Sequence, residues 1–299
     1  MKRTVLAAIF IFTMFFGIGA VHADYTVTLL TGPSGTSPNA YGVDGTNVVG
    51  DTSTGAFLYN ISTAQYTTLN VPSGTTAYGI QGNYVVGGST SQAWLYSIST
   101  NTYTTLTGLS GVHQATGIDG NNIVGYSSSG PWFYNGSNYT TSLGGISSGG
   151  ANAISGNSIV GYLYSSSQYL GFLYNISSQS YITLNDLTGA KAGSTYQATY
   201  ATGVNATEVA GYYDSYTTGY TGFLYNISTQ QYTNFQVPNS TYTYIYGMDA
   251  NGDLVGTTRV SGETYGFLAT PTAVPVPAGI LLLAPGLAGL AALRRKYIG

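Results

Sequence analysis

"AYGVDGTNVVGDTSTGAFLYNISTAQYTTLN", residues Ala40–Asn70, contains four short strand-like segments and the turns that link them. They are "AYGVDG" from Ala40, "NVVGD" from Asn47, "AFLYN" from Ala56 and "QYTTLN" from Gln65, here termed a, b, c and d. The links "DGTN" and "NISTAQ" have compositions suited to tight hairpins, because Asn, Asp and Gly adopt the backbone conformations such turns require. Phe57, Leu58 and Tyr59 are consecutive and large. In a strand they alternate sides, so the sheet they predict is covered on both faces.

The pattern recurs along the chain. The c–d phrase "NISTAQYTTL" from Asn60 returns as "SISTNTYTTL" from Ser97, "NISSQSYITL" from Asn175 and "NISTQQYTNF" from Asn226. The c strand returns as "AWLYS" at Ala93, "PWFYN" at Pro131, "GFLYN" at Gly171 and Gly222, and "GFLAT" at Gly266. The b-strand glycine falls at Gly50, Gly87, Gly125, Gly161, Gly211 and Gly256, at spacings of 37, 38, 36, 50 and 45 residues. Periods in this range mark repeat architectures. A four-stranded unit sandwiched between copies of itself predicts an all-β fold, a six-bladed β-propeller.

The last unit stops at "GFLATP" without a d strand, whereas "DYTVTLL" from Asp24 resembles "QYTTLNV" and precedes the first a strand. The N-terminal strand is therefore expected to complete the last blade and close the ring. An open solenoid needs no such exchange, since its ends stay apart and are capped.

Composition narrows the function. Charged residues make up 6% of the chain, far below the roughly 25% of ordinary globular domains, so the surface is built from Tyr, Ser, Thr and Gly. Between Asp24 and Thr270 only Lys191 and Arg259 stand against ten acids, a net of −8. Nucleic-acid binding, which needs clustered bases to neutralise phosphates, is excluded. With no cysteine, stability must come from burial and strand pairing.

Residues 1–23 carry Lys2, Arg3, an apolar run over Val5–Ile18 and small residues at Val21 and Ala23, the pattern of a secretory signal cleaved after Ala23. Residues 24–270 form the six repeats. Residues 271–299 hold a mostly apolar span, Val274–Leu293, followed by Arg294, Arg295 and Lys296. That span is about long enough for a transmembrane helix, and the bases favour a cytoplasmic end.

The stretch "VPVPAGILLLAPGLAGLAALRRK" resembles the PEP-CTERM sorting signal in its VPLPA-type variant, with Val274, Pro275, Val276, Pro277 and Ala278 as the proline motif and Arg294, Arg295 and Lys296 as the basic cluster. Val276 departs from the usual leucine. The resemblance implies a Gram-negative bacterium, processing by an exosortase, transient anchoring in the membrane, and delivery to the cell surface or the extracellular polysaccharide matrix. "GIDGNNIVGY" from Gly117 and "GVNATEVAGYY" from Gly203 are similar to HAF-type extracellular repeats, a family generally of unknown function.

The a–b and c–d turns are short and nearly constant, while the b–c and d–a links vary and are expected on the opposite rim. Variable loops on a rigid scaffold are where recognition usually resides. The candidate ligand-binding residues there are Tyr164, Tyr169, Asp186, Tyr196, Tyr213, Asp214, Tyr216, Tyr220, Arg259, Glu263 and Tyr265. Tyrosine suits stacking on sugar rings; its alternative role is cross-strand pairing at blade edges. The a strand, read as Ala/Gly/Ile-rich, is expected to line the axis.

Catalysis finds little support. Hydrolysis of sugars needs two positioned carboxylates, for which Asp186, Asp214 and Glu263 are the candidates. A sialidase-type site needs an arginine cluster, and the exported body has Arg259 alone. Ser/His/Asp chemistry would depend on His113 alone, since His22 leaves with the signal. "DANGD" at Asp249 lacks the glycine and closing glutamate of a calcium loop. It aligns with Asp44, Gln81, Asp119, Ser155 and Asn205, which makes it a hairpin turn, and no metal or cofactor is expected. The "NIS" triplets match glycosylation sequons but sit at repeated turns, where Asn as a turn former suffices. An ice- or water-ordering surface would need a flat Thr array that a twisted blade edge does not offer. The expectation is an exported, non-catalytic binding or structural protein of the cell surface or matrix, with a carbohydrate-active hydrolase or lyase as the alternative.

Overall fold

A computed structural model describes residues 24–108, 112–184, 198–215 and 219–272. The signal segment, Asp186, Lys191, Tyr196, Tyr216, the sorting motif and the expected C-terminal membrane helix lie outside them. Among the described residues no helix is long and apolar enough to cross a membrane. One unit spans Tyr25–Pro271, and a second comprises the flanking ends, within which Thr272 donates its backbone N–H and its hydroxyl to the carbonyl of Asp24.

The larger unit is all-β. Strand β1 is Tyr25–Leu30. The first repeat gives β2 Asn39–Asp44, β3 Asn47–Thr52, β4 Gly55–Asn60 and β5 Gln65–Thr68. The second gives β6 Thr76–Gln81, β7 Tyr84–Gly88, β8 Ala93–Ser97 and β9 Thr102–Thr105. The third gives β10 Val112–Asp119, β11 Asn122–Ser127, β12 Gly130–Tyr134 and β13 Tyr139–Thr141. Next come β14 Gly149–Ser155, β15 Ser158–Ser165, β16 Gln168–Asn175 and β17 Ser180–Leu184. The fifth holds β18 Thr199–Val204, β19 Glu208–Ser215, β20 Gly219–Asn226 and β21 Tyr232–Phe235. The last holds β22 Ser240–Met248, β23 Leu254–Val260 and β24 Glu263–Pro271.

The arrangement is propeller-like. Four sheets have four strands each, and a fifth has eight because a single pair, Gln114 with Gly88, joins β10 to β7. Within every repeat the strands run antiparallel in chain order, with a inside and d outside. Strand β1 is the outer strand of the last sheet, paired antiparallel with β24 from Tyr25–Pro271 to Leu30–Gly266. Leu30 is buried, and the Tyr25 ring meets Phe235 edge-on at 5.3 Å. The inner strands pack in cyclic order, β2 on β6, β6 on β10, then β14, β18 and β22, which returns to β2.

The repeat's glycine has a specific cause. Each lies directly across from the large aromatic residue of the c strand: Gly50 from Phe57, Gly87 from Trp94, Gly125 from Trp132, Gly161 from Phe172, Gly211 from Phe223 and Gly256 from Phe267. A Cβ at any of these glycines would collide with that ring and with an a-strand carbonyl oxygen. The ring thus lies on bare backbone, and all of these aromatic residues are buried.

A belt of hydrogen bonds ties neighbouring repeats at the a–b turns. Asp44 accepts from the Gly82 N–H (2.6 Å), Gln81 from Gly120, Asp119 from Gly156 (2.6 Å) and Asp249 from Gly45 (3.1 Å). The "DANGD" turn is closed by Asp249 accepting the N–H groups of Asn251 and Asp253. The "NIS" asparagines cap their turns, with Asn60, Asn175 and Asn226 accepting from Thr63, Ser178 and Thr229.

Candidate functional site

Every inner strand contains a β-bulge at the same place. In β2, Ala40 pairs with Gly50 and Gly42 with Val49, so Tyr41 is the extra residue. The same skip leaves Tyr78, Thr116, Asn152, Thr202 and Tyr246 unpaired in β6, β10, β14, β18 and β22. A bulge re-aims a side chain, and these six line the central space of the ring. The axis is therefore walled by Tyr, Thr and Asn. The expected Ala, Gly and Ile residues line only its narrow part, and the bulged residues, turned inward, wall the wide part.

The central space has two parts. The wider is a cavity of about 310 Å³ whose wall also includes Gln114, Tyr126, Tyr162, Tyr200 and Tyr212. Towards the a–b turns it narrows to about 60 Å³ between Gly42, Gly79, Gly117, Gly247 and their neighbours. At Gly42 and Gly79 an added Cβ would lie 2.6 and 2.8 Å from the carbonyl oxygen of the next repeat's bulged residue, so glycine is what allows the inner strands to converge.

The rings form a continuous surface. Tyr41 touches Tyr78 (centroids 5.2 Å) and Tyr246 (5.1 Å), Tyr246 meets Tyr212 (5.9 Å), and Tyr212 stacks on Tyr200 (5.0 Å). Tyr200 stacks on Tyr169 (5.5 Å), which meets Tyr164 at 4.9 Å. A branch runs from Tyr212 through Tyr244 (4.9 Å) to Tyr220 (4.7 Å). The run therefore extends from the axis to the end of the β15–β16 hairpin, a b–c turn.

Burial sets the protonation of these phenols. Desolvation, and then the neighbouring acids and phenols, push Tyr41, Tyr126, Tyr200, Tyr212 and Tyr244 well above the usual tyrosine value, and Tyr246 to about 12. All remain neutral at ordinary pH, each a donor as well as an acceptor. The acid beside the cavity is Asp51, whose carboxylate accepts from Asn39 (2.9 Å) and Thr76 (2.8 Å). Among the described residues no cluster of three or more metal-ligating side chains occurs.

The rim residues expected from the sequence separate into groups. Tyr164 and Tyr169 are exposed, by 45% and 38%, and face each other across β15 and β16. Tyr220 and Asp214 pair across β19 and β20. Arg259, Glu263 and Tyr265 lie on the β23–β24 hairpin of another sheet, with the Arg259 Nε donating to the Gly262 carbonyl at 3.0 Å. Tyr213 is not a rim residue: it is 2% exposed, packs with Val209 and Phe223, and donates its hydroxyl to Asn234 at 3.0 Å. Strand alternation explains this, since Tyr212 faces the axis and Tyr213 the opposite side.

The axial tyrosines were missed by the sequence reading. The signal was present in "AYG" at Ala40 and Ala77, "IYG" at Ile245, and "GY" at Gly125, Gly161 and Gly211.

No family model matches this sequence, and no curated relative does. Among solved structures the chain is similar to the tricorn protease, at 10% identity and a TM-score of 0.52, covering 81% of this chain and 27% of that one. It is also similar to PorZ, a surface component of the type-IX secretion system of Porphyromonas gingivalis, at 11% identity and a TM-score of 0.45 over 77% of this chain and 31% of that one. An oligogalacturonate lyase from Vibrio parahaemolyticus is similar at 8% identity and a TM-score of 0.44, over 83% of this chain and 98% of that one. This chain thus spans under a third of the first two, and at such identities the likeness concerns the fold alone.

Proposed function

We propose that this chain is an exported, six-bladed β-propeller that binds and helps organise extracellular polysaccharide without altering it chemically. Each half of the eight-stranded sheet supplies one blade, because one residue pair joins them and each repeats the a-b-c-d order. The observation that carries the binding role is the unbroken run of tyrosine rings from the exposed Tyr164–Tyr169 pair to the axis. A tyrosine offers a flat apolar ring to a sugar face and a hydroxyl to a sugar hydroxyl. Of the acids that would serve a hydrolase, Asp214 is on β19 and Glu263 on β24, in different sheets, and Asp186 lies outside the described residues.

The polysaccharide reading draws also on the resemblance of residues 274–296 to a sorting tail. It implies export through the signal segment, transient anchoring by the C-terminal span, exosortase processing and a destination at the cell surface or in the matrix.

Retention of the full chain on immobilised neutral polysaccharides, with soluble products assayed in parallel, tests the proposal. Retention without product is expected, and the Tyr164→Ala/Tyr169→Ala double variant should bind about tenfold more weakly, the effect of roughly 1.4 kcal/mol of lost stacking. Product release that Asp214→Asn or Glu263→Gln abolishes would replace the binder with a carbohydrate-active enzyme.

A further inference from the structure

We infer that the axial cavity is an end-recognition pocket, which takes the terminal ring of a neutral saccharide through the rim carrying Tyr164 and Tyr169. This rests on the polysaccharide reading for the ligand class and adds the site and the mode of recognition.

Size comes first. At about 310 Å³ the cavity is at the lower end of ligand pockets, which span roughly 300–1,000 Å³. Beyond it the glycine-lined constriction of about 60 Å³ has no room for a second sugar ring. A polymer cannot thread this axis, so only an end can enter.

Wall chemistry comes second. Among the described residues, the hydroxyls of Tyr41, Tyr126, Tyr162, Tyr200 and Tyr212 make no hydrogen bond to the protein, although their rings are packed in place. Each is a neutral phenol that both donates and accepts, which matches the double character of an alcohol. An apolar guest would leave these groups unpaired, at the cost of their desolvation. Hydroxyl-rich guests avoid that penalty.

Charge comes third. Among the described residues no Lys or Arg lines the cavity, so an anion finds no counter-charge there. The Asp51 carboxylate beside it is already engaged by Asn39 and Thr76, which leaves a cation a weak partner. A compact neutral ring with an apolar face and a hydroxylated edge fits what remains.

The test uses the full chain on an array of neutral oligosaccharides immobilised through their reducing ends, with free glucose, galactose, mannose and N-acetylglucosamine as competitors. Competition by at least one monosaccharide is expected, together with equal affinity for trimers and hexamers of the same sugar. Tyr200→Phe/Tyr212→Phe keeps both rings and removes two hydroxyls, and should weaken binding at least about tenfold. Thr116→Tyr places another ring in the well, at a bulge position that already holds tyrosine in Tyr41, Tyr78 and Tyr246, and should abolish binding. Affinity that rises with chain length, resists every monosaccharide and survives Tyr200→Phe/Tyr212→Phe would overturn the pocket while leaving rim binding in place. Failure to retain any neutral glycan would overturn both.

Discussion

Around the axis the repeats fall into two sets. In β22, β2 and β6 the bulged residue is tyrosine: Tyr246, Tyr41 and Tyr78. In β10, β14 and β18 it is Thr116, Asn152 and Thr202. The residue after the repeat's glycine is reversed between the sets: Thr257, Asp51 and Gly88 in the first, Tyr126, Tyr162 and Tyr212 in the second. Each repeat therefore supplies one ring to the cavity wall from this pair of positions, on either the a or the b strand. The backbone bulge is constant, and what varies is which neighbouring strand carries the bulk. Such compensation is expected where interiors tolerate rearrangement but not altered volume. The seams differ accordingly. Rings close the first set, whereas in the second Thr116, Asn152 and Thr202 donate to the carbonyls of Ala151 (2.6 Å), Ala201 (2.9 Å) and Ile245 (2.7 Å) in the next repeat.

The strongest way to break this comparison is a change that should ignore it. Gly87→Ala lies in the ring-closed set and Gly211→Ala in the hydrogen-bonded set. In both, the new methyl meets a backbone oxygen, of Thr76 or Tyr200, and the facing ring, of Trp94 or Phe223. A strand carbonyl cannot move aside without breaking its ladder. Each variant should lose about 3 kcal/mol or more, the upper end for overpacked cores, or fail to fold. Denaturant unfolding should show equal losses, and tolerance in one set alone would mean that the two are not built on the same frame.

The same glycine explains how much of the fold was legible. "VVG" and "FLY" recur because Gly and the aromatic residue are cross-strand partners, and that local pattern was enough to read strand order, blade composition and completion of the last sheet by Tyr25–Leu30. The axis was not legible for a physical reason. A bulge is a shift in pairing between two strands, so no single strand announces that Tyr41 or Asn152 is the unpaired residue. The exchange of tyrosine between strands also hides the ring, since Tyr41 aligns with Thr116 and Tyr126 with Asp51. Within "GYYD" from Gly211, both tyrosines look alike in sequence, and strand alternation gives the axis to Tyr212 and buries Tyr213, the expected surface residue.

A smaller effect should separate the sets directly. Tyr41→Ala removes a ring in contact with both Tyr78 and Tyr246. The side chain borders a cavity, so the loss should fall below the 3–5 kcal/mol of a fully enclosed aromatic residue, at about 2 kcal/mol. Thr202→Val keeps the shape and removes one hydrogen bond to Ile245, a loss of about 1 kcal/mol. Thermal and denaturant melts of the two variants check the order, and a reversal would place the seam strength in the hydrogen bonds.

The finest distinction concerns the two tryptophans that stand where the other repeats have phenylalanine. Trp94 donates its Nε1–H to the Thr75 hydroxyl at 3.1 Å, whereas the buried Nε1 of Trp132 has no partner among the described residues. Both rings rest on a glycine, Gly87 and Gly125, so Trp→Phe removes the same volume from equivalent places. The packing losses should nearly cancel between them. Trp94→Phe also forfeits a buried hydrogen bond, although the Thr75 hydroxyl keeps its own bond to the Pro72 carbonyl at 2.7 Å, while Trp132→Phe relieves an unpaired donor, so the first should cost about 1 kcal/mol more than the second. The protein has two tryptophans, so each variant leaves a single indole, whose fluorescence reports urea unfolding from one set of repeats. Equal costs would show that the Thr75 bond contributes no net stability, and that the two sets differ at the axis but not in the layer beneath it.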